Sequence, residues 1–292
     1  MEKTGFLQIF GAGALWGTIG LFIRLMEQAG AGSEWISFLR MAFAGGIMLV
    51  FVLVKRGPSA LRIRGKELFA CALLGLVCHG IYNIFYSLAV VLSGVAVSAV
   101  LLNIAPLFTA LFSVCLFHER LSWGKVLALG VNVVGCSLAA TGGSFDTAVL
   151  SVVGLLCGLG AGFCYAMTAI IGRVAGEDTD ALVVSTYSYL FAAAFLLLWI
   201  VLRGSECLCT VPVMGYGFLY ALIPTAFAYV LYYQGLQKVT EVSKVPVLAS
   251  VECVVAIVIG VLLFQEVMGV GNYIGVVLIF CSLFLMNRKK NG

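Results

Sequence analysis

Three ionisable side chains stand deep within otherwise apolar stretches of this sequence: Arg40, His79 and Glu252. In hydrocarbon such a group costs at least about 2.5 kcal/mol and normally faces a cavity or a partner. Glu252, about ten residues into its stretch, can accept a proton or pair with an amine; its alternative role is a protonated acid that bonds a neighbouring helix and fixes packing. Arg40 lies about six residues, roughly 9 Å of helical rise, from the end of its stretch. A guanidinium there can grip a carboxylate with two parallel bonds, which suits amino acids and organic acids. It can equally snorkel to headgroups or clamp helix ends, and its position favours that structural role.

His79 belongs to a larger set. His79, Tyr82, Asn83 and Tyr86 follow the i, i+3, i+4, i+7 spacing of one helical face, and Tyr229, Tyr232 and Tyr233 occupy a corresponding face later in the chain. Two such stripes would make an aromatic, hydrogen-bonding cavity wall. Tyr216 and Tyr220, near a helix end, read instead as interfacial anchors. Trp16 and Tyr165 are bulky aromatics among glycines, at Gly13, Gly17 and Gly20 in one helix and Gly158 and Gly162 in another. The glycines allow close helix contact, whereas the aromatics would project into any space between helices. Asn103 and Ser250 are further candidates for hydrogen bonds to a solute. The candidate binding residues are therefore Trp16, Arg40, His79, Tyr82, Asn83, Tyr86, Asn103, Tyr165, Tyr229, Tyr233, Ser250 and Glu252, with Glu252 and His79 as candidate proton carriers.

No metal or cofactor is implied. Of the ten cysteines, eight lie inside apolar stretches without the close pairs or Cys/His clusters of metal sites, and read as small packing residues. Cys207 and Cys209, in a loop, are the two that oxidation can reach. There is no HExxH or GxSxG motif and no GxxxxGK[ST] loop, which argues against an enzyme and against direct ATP drive.

The elements that must position these groups are membrane helices. The chain is 62% apolar and 10% charged, against about 45–50% and about 25% for soluble domains. Spans of about 20 apolar residues fall at about 6–26, 34–54, 67–89, 94–117, 124–141, 150–172, 181–202, 214–236, 243–264 and 270–287. The first reads as a helix of the mature protein, not a cleaved signal, because Lys3 is the only early cation. The weakest boundary is Leu92-Ser93-Gly94.

The second half repeats the first, shifted by 147 positions. Tyr82-Asn83-Ile84-Phe85-Tyr86 falls over Tyr229-Val230-Leu231-Tyr232-Tyr233, and Leu116-Phe117-His118-Glu119 over Leu263-Phe264-Gln265-Glu266. Glu119 and Glu266 each end a helix, where a carboxylate can bond the backbone N–H groups of the next helix start. With the N-terminus inside, 14 of the 17 Lys and Arg residues lie on that side, leaving Arg24, Arg40 and Arg203, so the positive-inside rule places both termini in the cytoplasm. Five helices per repeat forces the halves into opposite orientations. The expected fold is an all-α integral membrane protein of ten transmembrane helices, two inverted repeats over 1–147 and 148–292 that form one membrane domain.

Gly13-Ala14-Leu15-Trp16-Gly17, Ser37-Phe38-Leu39-Arg40-Met41-Ala42-Phe43-Ala44 and Leu102-Asn103-Ile104-Ala105-Pro106-Leu107-Phe108, with His118-Glu119-Arg120, resemble the drug/metabolite transporter superfamily, EamA-type branch. Ala249-Ser250-Val251-Glu252 and Gly260-Val261-Leu262-Leu263-Phe264-Gln265-Glu266 resemble the same pattern in the second half. The resemblance implies a central cavity lined mainly by helices one, three, four, six, eight and nine. It also implies small metabolites, amino acids or drugs as substrates, often exported. The sequence departs from the pattern where Ser33-Glu34-Trp35 replaces a proline-led start of helix two. It departs again where Cys253, not proline, follows Glu252 and a proline stands earlier, at Pro246, which leaves the bending point of helix nine open.

The expected function is a secondary transporter in the plasma membrane, moving an amino acid or related metabolite outward by alternating access, with protons at Glu252 or His79 as a candidate coupling ion. The alternatives are a broad-specificity exporter of drugs or organic cations, an intramembrane enzyme, and a non-transporting sensor. The partners are a small-molecule solute and the lipid bilayer, not nucleic acid, because the cations sit in short loops; the oligomeric state is open.

Overall fold

The computed structural model describes residues 2–143, 151–176 and 179–287. The expected repeat boundary between 147 and 148, the expected start of helix six at 150, and Arg288, Lys289 and Lys290 lie outside the described residues. Among the described residues ten helical spans follow one another. They are α1 (Glu2–Gln28), α2 (Ser33–Arg56), α3 (Gly65–Ser93), α4 in two pieces (Val95–Leu102 and Ala105–Phe117) and α5 (Trp123–Thr141). The second five are α6 (Val152–Ala175), α7 (Ala181–Arg203), α8 (Val211–Lys238), α9 (Val242–Phe264) and α10 (Val270–Asn287). Among the described residues nine are long and apolar enough to cross a bilayer, and α10 is a slightly shorter apolar helix. The weak boundary between α3 and α4 is real: Gly94 adopts φ +80°, which a side chain resists, and its N–H closes on Val90 O at 2.9 Å.

The halves interlock instead of lying side by side. Helix α1 packs on α8 and α9, and its repeat mate α6 packs on α3 and α4; α2 pairs with α7, and α5 with α10. Glycines set these contacts. A Cβ added to Gly13 would lie 2.5 Å from Ala249 O, and one added to Gly162 would lie 2.8 Å from Leu101 O. The α5–α10 seam is tighter still, with Gly275 against the backbone of Ala139. Asn132, fully buried in α5, donates to Ser282 Oγ at 3.0 Å and to Ser250 Oγ at 2.8 Å, tying α5 to both α10 and α9.

Four departures from regular helix sit at repeat-related places. Wide π turns occupy Leu74–Ile81 in α3 and Leu222–Phe227 in α8. In α8 the cause is Pro224, which lacks an N–H and crowds the preceding turn; Thr225 Oγ1 donates to Tyr220 O at 3.0 Å and satisfies a carbonyl there. Helix α4 breaks at Asn103–Ile104, just before Pro106, and α9 breaks at Ser250, four residues after Pro246. The bend in α9 thus stays at the position matching Asn103 although its proline lies on the other side. The His118 and Gln265 ends also match: both are left-handed, at φ +53° and +52°, and the next N–H returns to Ser113 O and Gly260 O.

Because the α5–α10 seam leaves no room for a side chain, Gly275→Leu is expected to destabilise the protein by about 3 kcal/mol. The change should appear as a lowered unfolding midpoint in detergent. Gly130→Leu on α5, where an added Cβ meets nothing within 4 Å, should leave the midpoint unchanged.

Candidate functional site

A cavity of about 790 Å3 lies where the two halves meet. Trp16, Arg40, His79, Tyr82, Asn83, Tyr86, Tyr165, Tyr229 and Glu252 line it, which brings together nine of the residues singled out by type and spacing. Asn103, Tyr233 and Ser250 lie outside the lining. Asn103 and Ser250 instead mark the helix breaks, and the Ser250 hydroxyl is taken by Val247 O at 2.7 Å and by Asn132. Tyr233 is fully buried behind Tyr229.

The lining helices differ from the expected set. Helix α2 contributes Ser33, Ile36, Ser37, Arg40 and Met41, whereas α4 contributes only Leu102 among the described residues. Tyr220 is no interfacial anchor: it is buried, lines the cavity and bonds Arg40. Its hydroxyl could not have been placed from sequence alone, because α8 begins at Val211 and so carries Tyr220 deeper than a start at 214 would.

Aromatic rings build the wall around Tyr229. Its ring centroid lies 4.8 Å from Trp16, 5.0 Å from His79 and 5.8 Å from Tyr189. Such contacts bring dispersion and ring-quadrupole attraction and fix the rings' orientation. Tyr82 stacks on Tyr86 at 6.0 Å and approaches Tyr165 at the same distance. Tyr165 then donates its hydroxyl to the Glu252 carboxylate, 3.3 Å from one oxygen and 3.4 Å from the other. That hydroxyl is the one partner of Glu252 among the described residues. The Asn83 amide is already engaged: it donates to His79 O and accepts from Ser37 Oγ at 3.1 Å, joining α2 to the π turn of α3. Trp16 Nε1 and His79 Nε2 are buried without a hydrogen-bond partner among the described residues.

Among the described residues the cavity's lining reaches one end of the bundle. Its mouth is framed by Arg24, Glu27, Ser33, Val91, Phe264 and Glu266, at the ends of α1, α2, α3 and α9 remote from the N-terminus. At the N-terminal end, polar contacts cross between the halves. Gln8 Nε2 donates to Gln234 Oε1 at 2.9 Å and Lys238 Nζ to Gln8 Oε1 at 2.8 Å; within the second half, Arg173 Nη1 donates to Val239 O at 2.8 Å. Glu119 accepts from the N–H of Val242, and from the N–H and hydroxyl of Ser243 at 3.2 and 2.6 Å. The carboxylate does bond a helix start, but that of α9 in the other half and not that of the next helix. Its repeat mate Glu266 pairs with Arg24 at the mouth, 2.5 Å away. Beside this seal, burial acts to raise the Glu241 carboxyl, but hydrogen bonds from Lys125 and Lys244 outweigh it and hold the group below the usual carboxylate range.

The EamA-like transporter family matches residues 3–141 and 152–288. The chain belongs to the EamA-like transporter family. One EamA-like match covers α1–α5 and the other α6–α10, so each half carries the family pattern. Over 276 residues the chain is 27% identical to an "Uncharacterized transporter" of Archaeoglobus fulgidus, covering 94% of this chain and 93% of that one. It is 26% identical to "Uncharacterized transporter YwfM" of Bacillus subtilis, with 94% and 91% covered. It is 22% identical to "Uncharacterized inner membrane transporter YicL" of Salmonella typhimurium, with 98% and 95% covered. A solved crystal structure superposes with a TM-score of 0.82 over 98% of this chain and 96% of its own, at 18% identity, and shows the fold alone. The chain is thus a multi-pass membrane transporter of the EamA-like family, not an enzyme.

The three bonds at Glu119 hold the start of α9, and losing them should cost about 1–3 kcal/mol. Glu119→Ala is therefore expected to raise amide hydrogen exchange at Val242 and Ser243 about ten- to hundredfold by local opening. Exchange within the α5–α10 seam should not change.

Proposed function

We propose that this EamA-like transporter is a secondary carrier that moves a small organic solute, an amino acid or related metabolite, outward across the plasma membrane by alternating access. The observation that carries the reading is a cavity at the junction of two inverted halves, open at one end and sealed at the other by contacts between the halves. A continuous pore would be open at both ends. A rigid scaffold would have no reason to hold polar side chains in a space of about 790 Å3. With both termini cytoplasmic, as the distribution of Lys and Arg supports, the sealed end faces the cytoplasm and this conformation faces outward.

Glu252 is the group best placed to couple transport to protons. It lines the cavity next to the break in α9, and it rests on one tyrosine hydroxyl instead of a cation. Gaining or losing a proton there changes charge where the helix is already bent. His79, whose Nε2 has no partner among the described residues, is the second candidate.

Full-length protein in liposomes preloaded with a radiolabelled amino acid mixture should release label faster than empty liposomes, and equal release would refute the carrier. In the same assay Glu252→Gln should flatten the pH dependence of transport, because the amide cannot ionise. A pH profile identical to that of the wild type would remove Glu252 from coupling and leave His79, tested as His79→Gln.

A further inference from the structure

We propose that Arg40 is a carboxylate-binding subsite of the cavity, held in place by Thr225 and Tyr220. The proposal rests on the carrier reading and specifies which solute chemistry the carrier takes. Arg40 is the one arginine among the described residues that is buried. The other arginines with side-chain partners meet anions or carbonyls: Arg24 meets Glu266, Arg56 meets Asp180, Arg203 meets Glu34, and Arg173 meets the carbonyls of Leu236 and Val239. Arg40 meets two neutral hydroxyls. Its Nε donates to Thr225 Oγ1 at 2.9 Å and its Nη1 to Tyr220 OH at 3.2 Å, with the guanidinium carbon 5.0 Å from the centre of the Tyr220 ring.

A guanidinium has five N–H donors and keeps its charge in proteins. Two donors are used here, and among the described residues Nη2 has no protein partner and no carboxylate lies within ion-pair distance. The group lines the cavity, so what remains unsatisfied is a buried positive charge with free donors beside the solute space. Carboxylates complement that fork in both charge and geometry.

The π turn of α8 explains how the fork is aimed. Pro224 widens the helix at this level, and Thr225 spends its proton on Tyr220 O, which leaves its oxygen to accept from Arg40. Repeat symmetry argues against a role in packing alone. The position matching Arg40 in α7 is Tyr187, whose hydroxyl donates to Leu61 O at 2.6 Å, away from the cavity. The repeat mate of Arg40 thus packs in α7 without a guanidinium. Within the same cavity Glu252 supplies an opposite charge for a solute that also bears an ammonium group.

The test uses four probes that share one ring, so that the aromatic wall contributes equally to each: phenylalanine, phenylalaninamide, 3-phenylpropionate and phenethylamine. Their binding to the full-length protein in detergent is measured by scintillation proximity. The expected result is that phenylalanine binds about ten- to hundredfold more tightly than its amide, and 3-phenylpropionate than phenethylamine, as for a charge-assisted hydrogen-bonded pair. Arg40→Gln should abolish both preferences and Arg40→Lys should restore part of them. Thr225→Val keeps the charge but releases its aim, and should reduce the preferences several-fold while leaving phenethylamine binding unchanged, an effect that a purely structural role would not produce. The proposal is overturned if the wild type shows no carboxylate preference, if neither carboxylate probe binds, or if the preference survives in Arg40→Gln. Should Arg40→Gln fail to fold, an unaltered preference in Thr225→Val overturns it. Liposomes that still pass solutes without a carboxylate preference would sink the subsite and leave the carrier standing, whereas liposomes that pass none would sink the carrier.

Discussion

Backbone amides in hydrocarbon have no water to turn to, and the architecture of this chain follows from that constraint. A helix satisfies itself and can face lipid, but any break in a helix must be covered by protein or open onto an internal space. Four of the interruptions are met by a local side chain. Helix α1 is interrupted at Gly17–Thr18, where Thr18 Oγ1 donates to Leu15 O; Asn83 donates to His79 O in α3, Thr225 to Tyr220 O in α8 and Ser250 to Val247 O in α9. Each also borders the cavity, whose lining includes Gly17, His79, Leu102, Tyr220 and Glu252. The polar residues therefore do two jobs at once: they repair the backbone, and the irregular turns they permit carry Arg40's hydroxyl partner, His79 and Glu252 to the solute space.

Most of the fold could be read in the sequence because membrane helices announce themselves by composition. Ten apolar runs and one gapless shift of 147 positions suffice for the helix order and the inverted halves, and Gly94 does end α3 where Ser93-Gly94 suggested. The site was partly legible for a related reason. An ionisable or tyrosine-rich face inside such runs has few places to point except inward. What escaped was geometry that residue types do not encode. A π turn shifts the helical phase by one residue, so Tyr220 and Thr225 reach Arg40 although a regular helix drawn from 214 would have set Tyr220 near its end. Long-range partners were equally invisible: Glu119 looked like a cap for the next helix and proved to hold Val242 and Ser243, far along the chain. Ser250 proved to be polar for the sake of the helix break, and Asn103 stands at the matching break in α4 outside the cavity lining.

The two halves share a scaffold but not its uses. His118 and Gln265 end their helices with the same left-handed residue and the same returning N–H. Glu119 then seals one end while Glu266 pairs with Arg24 at the open mouth. In the same way Arg40 stands where the other half has Tyr187, and Glu252 where it has Ala105. Duplication supplies the mechanical frame, and the mismatched positions supply the chemistry.

The cross-half bond at Glu119 also bears on how the protein is made. Its acceptor oxygens emerge with α4, but the N–H groups of Val242 and Ser243 exist only once α8 has been synthesised and inserted. Until then the first five helices hold a carboxylate with nothing to close upon, and α1 lacks the α8 and α9 surfaces that cover its glycines. The lock between the halves at Glu119 can therefore close only late in synthesis, after the start of α9 has followed α8.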